Sequence, residues 1–162
     1  MNGCPCGYFT DPRRECTCSP PQIDRYRSRI SGPLLDRIDL HVDVPSLRYR
    51  ELATETQGEP SETVRARVKR ARAVQHDRFR RTKTFCNAQM GARQLRRACP
   101  IGPDGQRLLE TAIERLGLSA RAHDRILKVA RTIADLEGHE AIRTDHLAEA
   151  IQYRTLDRRA GK

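Results

Sequence analysis

Two neighbouring stretches of helical periodicity, between residues 103 and 137, constrain the fold of this chain more than any other feature. Each has one apolar face, and only Gly117-Leu118-Ser119 separates them. The apolar positions are Leu108, Leu109, Ala112, Ile113 and Leu116 in the first stretch, and Ile126, Leu127, Ala130, Ile133 and Ala134 in the second. So short a connection makes the two helices antiparallel neighbours, and their apolar faces must pack against other helices. The pattern predicts a helical bundle.

Residues that commonly begin and end helices mark the same boundaries. Pro103 suits a first helical turn, and Gly117 is a natural stop. Ser119 can cap the second helix, which runs to about Glu137 and is ended by Gly138. Thr144 is predicted to cap a last helix that carries Leu147, Ala150 and Ile151.

A long basic helix is predicted upstream of the bundle, over residues 61–83, with Ser61 as its N-cap. Its apolar stripe is narrow and consists of Val64, Val68, Ala71, Gln75 and Phe79. Residues 86–98 indicate a further short helix.

The first 60 residues differ in character from the rest. Residues 1–35 are rich in Cys, Pro, Gly and Arg without apolar periodicity, which indicates a loop with at most one short helix. Residues 39–44 alternate between polar and apolar side chains, which predicts one short strand closed by Pro45, and residues 46–60 are interpreted as a linker. We therefore expect an irregular arm over residues 1–60 and a helical domain over residues 61–162, with its bundle at 103–155.

Positive charge is concentrated in one segment. Residues 61–100 contain 12 lysines and arginines against 2 acidic residues, while the whole chain has a net charge of +10. A focused patch of this kind attracts nucleic acid or other phosphates. A solvated helix that faces acidic parts of its own protein has the same composition, so both interpretations stay open. If nucleic acid is the partner, Arg65, Lys69 and Arg72 are the candidate contacts.

The sequence offers neither a membrane span nor a secretion signal. No apolar run approaches 18 residues, and the first ten residues, MNGCPCGYFT, lack the apolar core of a signal peptide. We expect a cytoplasmic protein.

Four of the six cysteines form two close pairs. Cys4, Cys6, Cys16 and Cys18 have the spacing C-x-C-x9-C-x-C, which can place four thiolates around one tetrahedral Zn²⁺. The usual pair is C-x-x-C, so reduced thiols in a loop and disulfides remain alternatives. Cys86 and Cys99 have no partner pattern and are interpreted as small, partly buried apolar residues.

Three long strings occur in a fixed order along the chain: NGCPCGY at residues 2–8, RYRSRISGPLLDRIDLHV at 25–42 and LGLSARAHDRILKVARTIADL at 116–136. The string HLAEAIQYR at 146–154 follows them. Together they resemble the ComM/YifB group of magnesium-chelatase-like AAA+ ATPases. The resemblance implies a helical lid after an α/β ATPase core, and a homo-oligomeric ring, expected to be a hexamer. It also implies ATP and Mg²⁺ as cofactors and a role in DNA processing, such as branch migration during natural transformation.

The resemblance also assigns roles to three residues. Asn2 corresponds to the sensor-1 position, which orients the attacking water. Arg37 corresponds to the arginine finger, which reaches the γ-phosphate bound by a neighbouring subunit. Arg121 corresponds to sensor 2, which touches the γ-phosphate of its own subunit. Guanidinium groups suit both tasks because they stay charged and present a planar fork of donors to phosphate oxygens. Arg37 could instead pair with Asp36 or Asp39, and Arg121 could belong to a row of solvated charges with Arg125 and Lys128.

The chain departs from the family pattern in one respect. It contains no G-x-x-x-x-G-K-[ST] string and no apolar strand that ends in acidic residues. We expect those segments to lie upstream of residue 1, so that this chain alone does not hydrolyse ATP while its parent does. For the same reason the arm, whose strand would lack a sheet, is expected to be loosely held or to recruit another chain.

Two other functions compete with this one. The helices around Gly117-Leu118-Ser119, with the cysteine pairs, could form a free-standing DNA-binding protein with a helix-turn-helix and a zinc knuckle. The second helix argues against it because its broad apolar face leaves little room for base-reading side chains. The other alternative is a subunit of a metal chelatase that inserts Mg²⁺ into a porphyrin.

Overall fold

A computed structural model describes residues 2–44, 47 and 58–154. Within them the chain is mainly α-helical, which confirms the predicted fold class. The helices are α1 (Pro20–Arg27), α2 (Gly32–Leu35), α3 (Ser61–Phe79), α4 (Ala92–Ala98), α5 (Pro103–Leu116), α6 (Ala120–Glu137) and α7 (Thr144–Gln152), with one 3-10 turn at Asn87–Gln89 between α3 and α4.

The core lies where α5 and α7 pack against α6. Gly117 and Gly138 end α5 and α6 in left-handed conformations, with φ values of 62° and 80°. Ser119 caps the beginning of α6, where its side chain accepts a hydrogen bond from the Ala122 N–H. The α5 and α7 helices approach closely at Gly105, where a Cβ would lie 2.7 Å from Leu147 Cδ1. The most deeply buried apolar side chains are Ala122, Ile126, Ala130, Ala134, Leu147 and Ala150.

A buried charge network ties α3 to this bundle. The Asp135 carboxylate, whose side chain is fully buried on α6, accepts hydrogen bonds from Arg78 at 2.5 and 2.8 Å and from Asn87 at 2.8 Å. Arg131, also on α6, donates from Nε to the same carboxylate at 3.1 Å. Burial alone would raise the pKa of Asp135, but the hydrogen bonds from Arg78 and Asn87 hold it below its ordinary value. Asp135 is therefore ionised and fully partnered.

The predicted stripe of α3 is buried only in its second half. Ala71, Gln75 and Phe79 are buried, whereas Val68 remains 44% exposed. Gln75 accepts a hydrogen bond from the Asn87 backbone, in the same half of the helix that carries Arg78. Polar contacts to α6 and to the 3-10 turn, rather than a continuous apolar seam, thus hold this helix.

Four predictions of helix boundaries were wrong by small amounts. The single short helix expected over residues 86–98 is a 3-10 turn at Asn87–Gln89 followed by α4, which begins at Ala92. Pro60, rather than Ser61, precedes α3, because its carbonyl already accepts the Val64 N–H. The same helix ends at Phe79 instead of residue 83, because the N–H and the hydroxyl of Thr82 both donate hydrogen bonds to the Phe79 carbonyl and so close a turn there. Thr144 lies inside α7, since the His146 ring accepts the Arg143 N–H and takes over the capping role.

The strand expected over residues 39–44 is absent. A strand needs a neighbouring backbone ladder, and the described residues supply none. The His41 N–H instead donates to the Tyr153 carbonyl at 2.8 Å, while Leu40, Val42 and Val44 are exposed. Pro45, most of the linker at 46–60 and residue 155 of the expected bundle lie outside the described residues. The arm also contains two short helices, α1 and α2, where at most one was expected.

A search of the described residues for membrane-spanning segments found no helix with both the length and the apolar character to cross a bilayer.

The Asp135 network generates a stability prediction. Asp135→Asn leaves Arg78 and Arg131 without their shared negative partner, so we expect the free energy of unfolding to fall by roughly 3–5 kcal/mol. The pH dependence follows from the lowered pKa of Asp135. Its stabilisation is fully present above about pH 4, the ordinary range of the unfolded carboxyl, and is lost as pH falls further. Urea unfolding of both proteins from pH 3 to 7 measures both effects.

Asp104→Asn is the matched control, because Asp104 pairs with Arg107 within α5 at a solvent-exposed position. A surface pair of this kind contributes at most about 1 kcal/mol. If both substitutions cost the same, the buried network does not carry the stability assigned to it.

Candidate functional site

A groove on the outer side of α6 gathers three of the cations that the sequence singled out. Arg121, Arg125 and Lys128 line it together with Asp39 and Tyr153, and its volume is about 500 Å³. Apolar side chains from α6 cover part of its wall, namely Val129, Ile133 and Leu136. The spacing 121, 125 and 128 puts the three cations on one helical face, and the first of them lies in the positive first turn of α6.

Acidic residues of the arm partner two of these cations. Asp36 Oδ2 lies 3.3 Å from Arg121 Nη1, and Asp39 contacts Arg125. Asp36 also accepts a hydrogen bond at 2.8 Å from the hydroxyl of Ser119, the residue that caps α6. The segment around Arg37 is therefore attached to the beginning of α6 through its acidic residues.

Arg37 itself takes no part in these pairs. Its side chain is exposed, and it makes no hydrogen bond or ion pair with any described residue. Asp36 and Asp39, the partners that a purely structural role would have used, are occupied by Arg121 and Arg125. The structure thus leaves the Arg37 guanidinium available, although Arg37 is not among the described residues that line the groove.

Asn2 lies at the other end of the arm, beside the cysteine loop. Its side-chain amide is 3.4 Å from the position a Cβ would take on Gly7, whose φ of +85° forms a tight turn closed by a hydrogen bond from the Gly7 N–H to the Cys4 carbonyl. Asn2 is exposed and does not line the groove of α6 within the described part of the chain. The structure does not bring Asn2 and Arg121 into one site.

The four N-terminal cysteines converge. Their Sγ atoms lie within 4.8 Å of one another, and the three measured separations are 3.3 Å for Cys4–Cys6, 3.6 Å for Cys6–Cys16 and 3.6 Å for Cys4–Cys16. All four thiols are free. A tetrahedral Zn²⁺ with Zn–S bonds of about 2.3 Å requires sulfur separations of roughly 3.8 Å, so the donor set fits that ion.

The electrostatics of the cluster also favour a cation. The Tyr8 backbone, followed by the Cys4 thiol, lowers the pKa of Cys6 to about 6. A backbone hydrogen bond involving Cys18 acts to lower the pKa of Cys16, but burial and the neighbouring Cys4 and Cys6 thiols raise it to about 12. The cluster thus combines a thiol with a lowered pKa and a thiol with a raised pKa, and a bound divalent cation would favour the thiolate form of both.

A second group of possible metal ligands, Glu137, His139 and His146, has a different explanation. His146 Nδ1 accepts the Arg143 N–H at 3.0 Å, so the proton of its neutral ring is on Nε2. His146 Nε2 then donates to Glu137 at 2.9 Å. Because the nitrogen that faces the group carries a proton, it is a hydrogen-bond donor and not a metal ligand.

The candidate nucleic-acid contacts Arg65, Lys69 and Arg72 are all exposed on α3. His76 and Arg80 continue the same line at helical spacing, and we call these five residues the basic stripe. From residue 65 to residue 80 the stripe is about 22 Å long, at about 1.5 Å per residue. It lies beside the half-buried stripe of α3 and faces solvent.

Two important residues escaped the sequence reasoning. Arg154, of which only 1% is exposed, donates to the Ile38 carbonyl and lies 3.6 Å from Asp36. Asp36 was considered only as a possible partner of Arg37. Both residues belong to strings that match the family, but nothing local in the sequence predicts that Arg154 meets Ile38, 116 positions earlier, and Asp36 beside it.

Comparison with known proteins places these features in a family. The family model for the C-terminal region of magnesium chelatase subunit ChlI matches residues 58–154, and the model for magnesium chelatase subunit ChlI matches residues 1–52. Over 98% of its length the chain is 43% identical to competence protein ComM of Haemophilus influenzae and 42% identical to the uncharacterized protein YifB of Salmonella typhimurium. The uncharacterized protein Rv2897c of Mycobacterium tuberculosis is 37% identical over 94% of the chain.

This chain spans about 30% of the length of each of these relatives. The two family models together cover nearly all of the described residues, and the ordered strings around Cys4, Arg37 and Arg121 lie within the matched regions. The chain belongs to the magnesium-chelatase-like AAA+ family that includes ComM and YifB.

Proposed function

We propose that this chain is the sensor and lid region of a ring-forming AAA+ ATPase that couples ATP hydrolysis to DNA remodelling. In this proposal the ring is a hexamer, ATP and Mg²⁺ bind mainly to other segments of the full-length protein, and two arginines of this chain act on the γ-phosphate. Arg121 serves the nucleotide of its own subunit and Arg37 serves that of the neighbour.

The observation that carries the proposal is the different environment of these two arginines. Arg121 faces the groove of α6 beside Arg125 and Lys128, at a helix N-terminus, where an anionic ligand is favoured. Its ion pair with Asp36 is exposed, with 56% of the Arg121 side chain accessible. Such a pair contributes little, so a triphosphate can replace the carboxylate. Arg37 has no partner among the described residues and can reach a second molecule.

The assignment of one arginine to each side of a subunit interface predicts complementation in mixed rings. In the full-length protein, Arg37→Ala should lower kcat by about 10³- to 10⁵-fold, as expected for an arginine finger, and Arg121→Ala should also abolish most hydrolysis. When the two variants are mixed, an interface regains activity where an intact Arg121 meets an intact Arg37. Random mixing in a head-to-tail ring produces this combination at about a quarter of the interfaces.

The measurement is the rate of ATP hydrolysis at several mixing ratios, with a maximum expected near equal amounts. The double variant Arg37→Ala/Arg121→Ala, mixed with either single variant, is the control and should restore nothing. Equal, low rates at all ratios would place both arginines on one side of the interface and contradict the proposal.

DNA is the proposed substrate because the basic stripe presents a row of exposed basic side chains along α3 and the residue that follows it. The H. influenzae relative is named a competence protein, and this name agrees with a proposed role in DNA processing during natural transformation. A line of about 22 Å is long enough to follow several successive phosphates of one strand. Contacts of this kind bind DNA without reading its sequence.

The basic stripe should make binding depend steeply on salt. Replacement of Arg65 and Lys69 by Gln removes two phosphate contacts, so the slope of log K against log salt should become less steep by about 2 for duplex DNA. Fluorescence anisotropy at four salt concentrations measures the slope. Arg107→Gln/Arg115→Gln, which removes two exposed charges from α5, is the matched control and should leave it unchanged. Equal effects of the two pairs would show that only net charge matters.

The cysteine cluster is proposed to hold one structural Zn²⁺. The bound ion would tie Cys4 and Cys6 to Cys16 and Cys18, and thereby fix the loop that carries Asn2 and leads into α1. A four-thiolate site leaves no open position for a water, so this ion would stabilise structure and take no part in catalysis.

Metal analysis of the chain purified under reducing conditions should find about one zinc per molecule. Cobalt substitution should produce the absorption bands of tetrahedral thiolate coordination. Cys6→Ser should lose most of the metal, whereas Cys86→Ser, which changes a cysteine outside the cluster, should keep it. If the unmodified chain contains no metal and the four cysteines of the cluster all react freely with a thiol reagent, the zinc site is excluded.

A further inference from the structure

Arg154 is a buried cation whose described partners are on the arm rather than on its own helix. It follows the C-terminus of α7, and only 1% of it is exposed. Its guanidinium donates to the Ile38 carbonyl, and Nη2 lies 3.6 Å from Asp36 Oδ1, within the range of an ion pair. A guanidinium is costly to bury and persists only where its partners are well placed. Arg154 therefore holds the backbone after Arg37 through the Ile38 carbonyl, and it faces the side chain of Asp36, the residue before Arg37.

Asp36 extends this contact to the beginning of α6. Its carboxylate accepts the Ser119 hydroxyl at 2.8 Å and pairs with Arg121 at 3.3 Å, in addition to its contact with Arg154. The same Ser119 oxygen accepts the Ala122 N–H. The carboxylate of Asp36, the residue before Arg37, thus contacts both the beginning of α6 and the end of α7.

We propose that Asp36 and Arg154 are positioning residues that hold Arg37 and Arg121 as one rigid unit. This inference rests on the proposed function of the two arginines and adds the residues that aim them. Arg154 holds the Ile38 carbonyl and thereby the backbone that follows Arg37. Asp36 fixes the same turn to α6 through the Ser119 hydroxyl, a hydrogen bond that remains when a triphosphate takes the place of the carboxylate at Arg121. Neither positioning residue needs to touch the nucleotide.

The contacts of Arg154 with the Ile38 carbonyl and the Asp36 carboxylate are here called the clamp. Arg154→Lys tests the clamp without a change in net charge. A lysine ammonium lacks the planar fork that reaches both the Ile38 carbonyl and the Asp36 carboxylate. In the full-length protein we expect kcat for ATP hydrolysis to fall about 10- to 100-fold, the size of effect that a small misplacement of a catalytic group produces. KM should change by less than about twofold, since misplacing Arg37 affects the transition state and not ground-state binding. Arg107→Lys, at an exposed position on α5, is the matched control and should leave both constants unchanged.

Asp36→Asn removes the other side of the clamp. Because Asp36 is partly exposed, this variant remains informative if Arg154→Lys does not fold. It should also lower kcat, and the loss in the double variant should be smaller than the product of the two single losses, because both substitutions break one unit. Hydrogen–deuterium exchange supplies a readout that needs no activity. The amides of residues 36–41 should exchange faster in each variant, while those of α5 and α6 stay protected.

Arg37→Ala in the same assay separates the two levels of the proposal. If Arg37→Ala leaves kcat intact, the function proposed for Arg37 fails, while the exchange data still report on the clamp. If Arg37→Ala abolishes hydrolysis but Arg154→Lys and Asp36→Asn both keep kcat within about twofold, the positioning role is overturned and the proposed function stands. Unchanged exchange at residues 36–41 in both folded variants would likewise overturn it.

Discussion

The ionised carboxylate of Asp135 is fully buried on α6, where it meets side chains from α3 and from the 3-10 turn. A buried carboxylate needs cations and amide donors around it, and here Arg131, Arg78 and Asn87 supply them from three different parts of the chain. Satisfying this one group brings α3 and the 3-10 turn onto α6. Arg131 contributes further by donating to the His139 and Glu140 carbonyls, which hold the turn between α6 and α7. A polar network therefore sets the position of a helix whose apolar stripe is too narrow to do so.

The arginines of this chain divide into two groups according to what surrounds them. Arg78, Arg131 and Arg154 are largely or fully buried and pair with carboxylates or backbone carbonyls, so their charge is used within the fold. Arg37, Arg65 and Arg80 are exposed, and the last has only a long, solvent-exposed contact with Asp77. Arg121 lies between these groups, because its pair with Asp36 is formed but accessible. A charge that is held weakly is the kind that an incoming phosphate can recruit, whereas a buried pair cannot be exchanged without a cost of several kcal/mol.

The arm and the bundle are joined mainly by charge and backbone contacts. Asp36 and Asp39 meet Arg121 and Arg125, and the His41 N–H meets the carbonyl of Tyr153. Apolar side chains of the same segment, including Leu40, Val42 and Val44, face solvent in the described structure. Specific polar contacts place the turn around Arg37, so its orientation depends on a few named groups. The cysteine cluster is a separate centre of order in the arm, with Cys4 as its buried member.

The helices of the bundle are predictable from the sequence to within a few residues, because their period, caps and stops are local properties. Gly117, Ser119 and Gly138 mark the ends of α5 and α6 as expected, and the apolar face of α6 is buried. The convergence of Cys4, Cys6, Cys16 and Cys18 was also foreseeable, because short spacings and a nine-residue loop leave few other arrangements. Local pattern does not predict which carboxylate pairs with which arginine. Asp36 and Asp39 pair with α6 instead of Arg37, and Asp135 pairs with Arg78, which is 57 residues away. The prediction of a strand at 39–44 was wrong for a related reason. The alternation of polar and apolar residues shows only a preference for extended backbone, whereas a strand also needs a second strand to which its backbone can hydrogen-bond. Charge pairing and strand pairing both depend on contacts between distant residues, and a chain with 31 basic and 21 acidic side chains offers too many possible pairs for local pattern to choose among them.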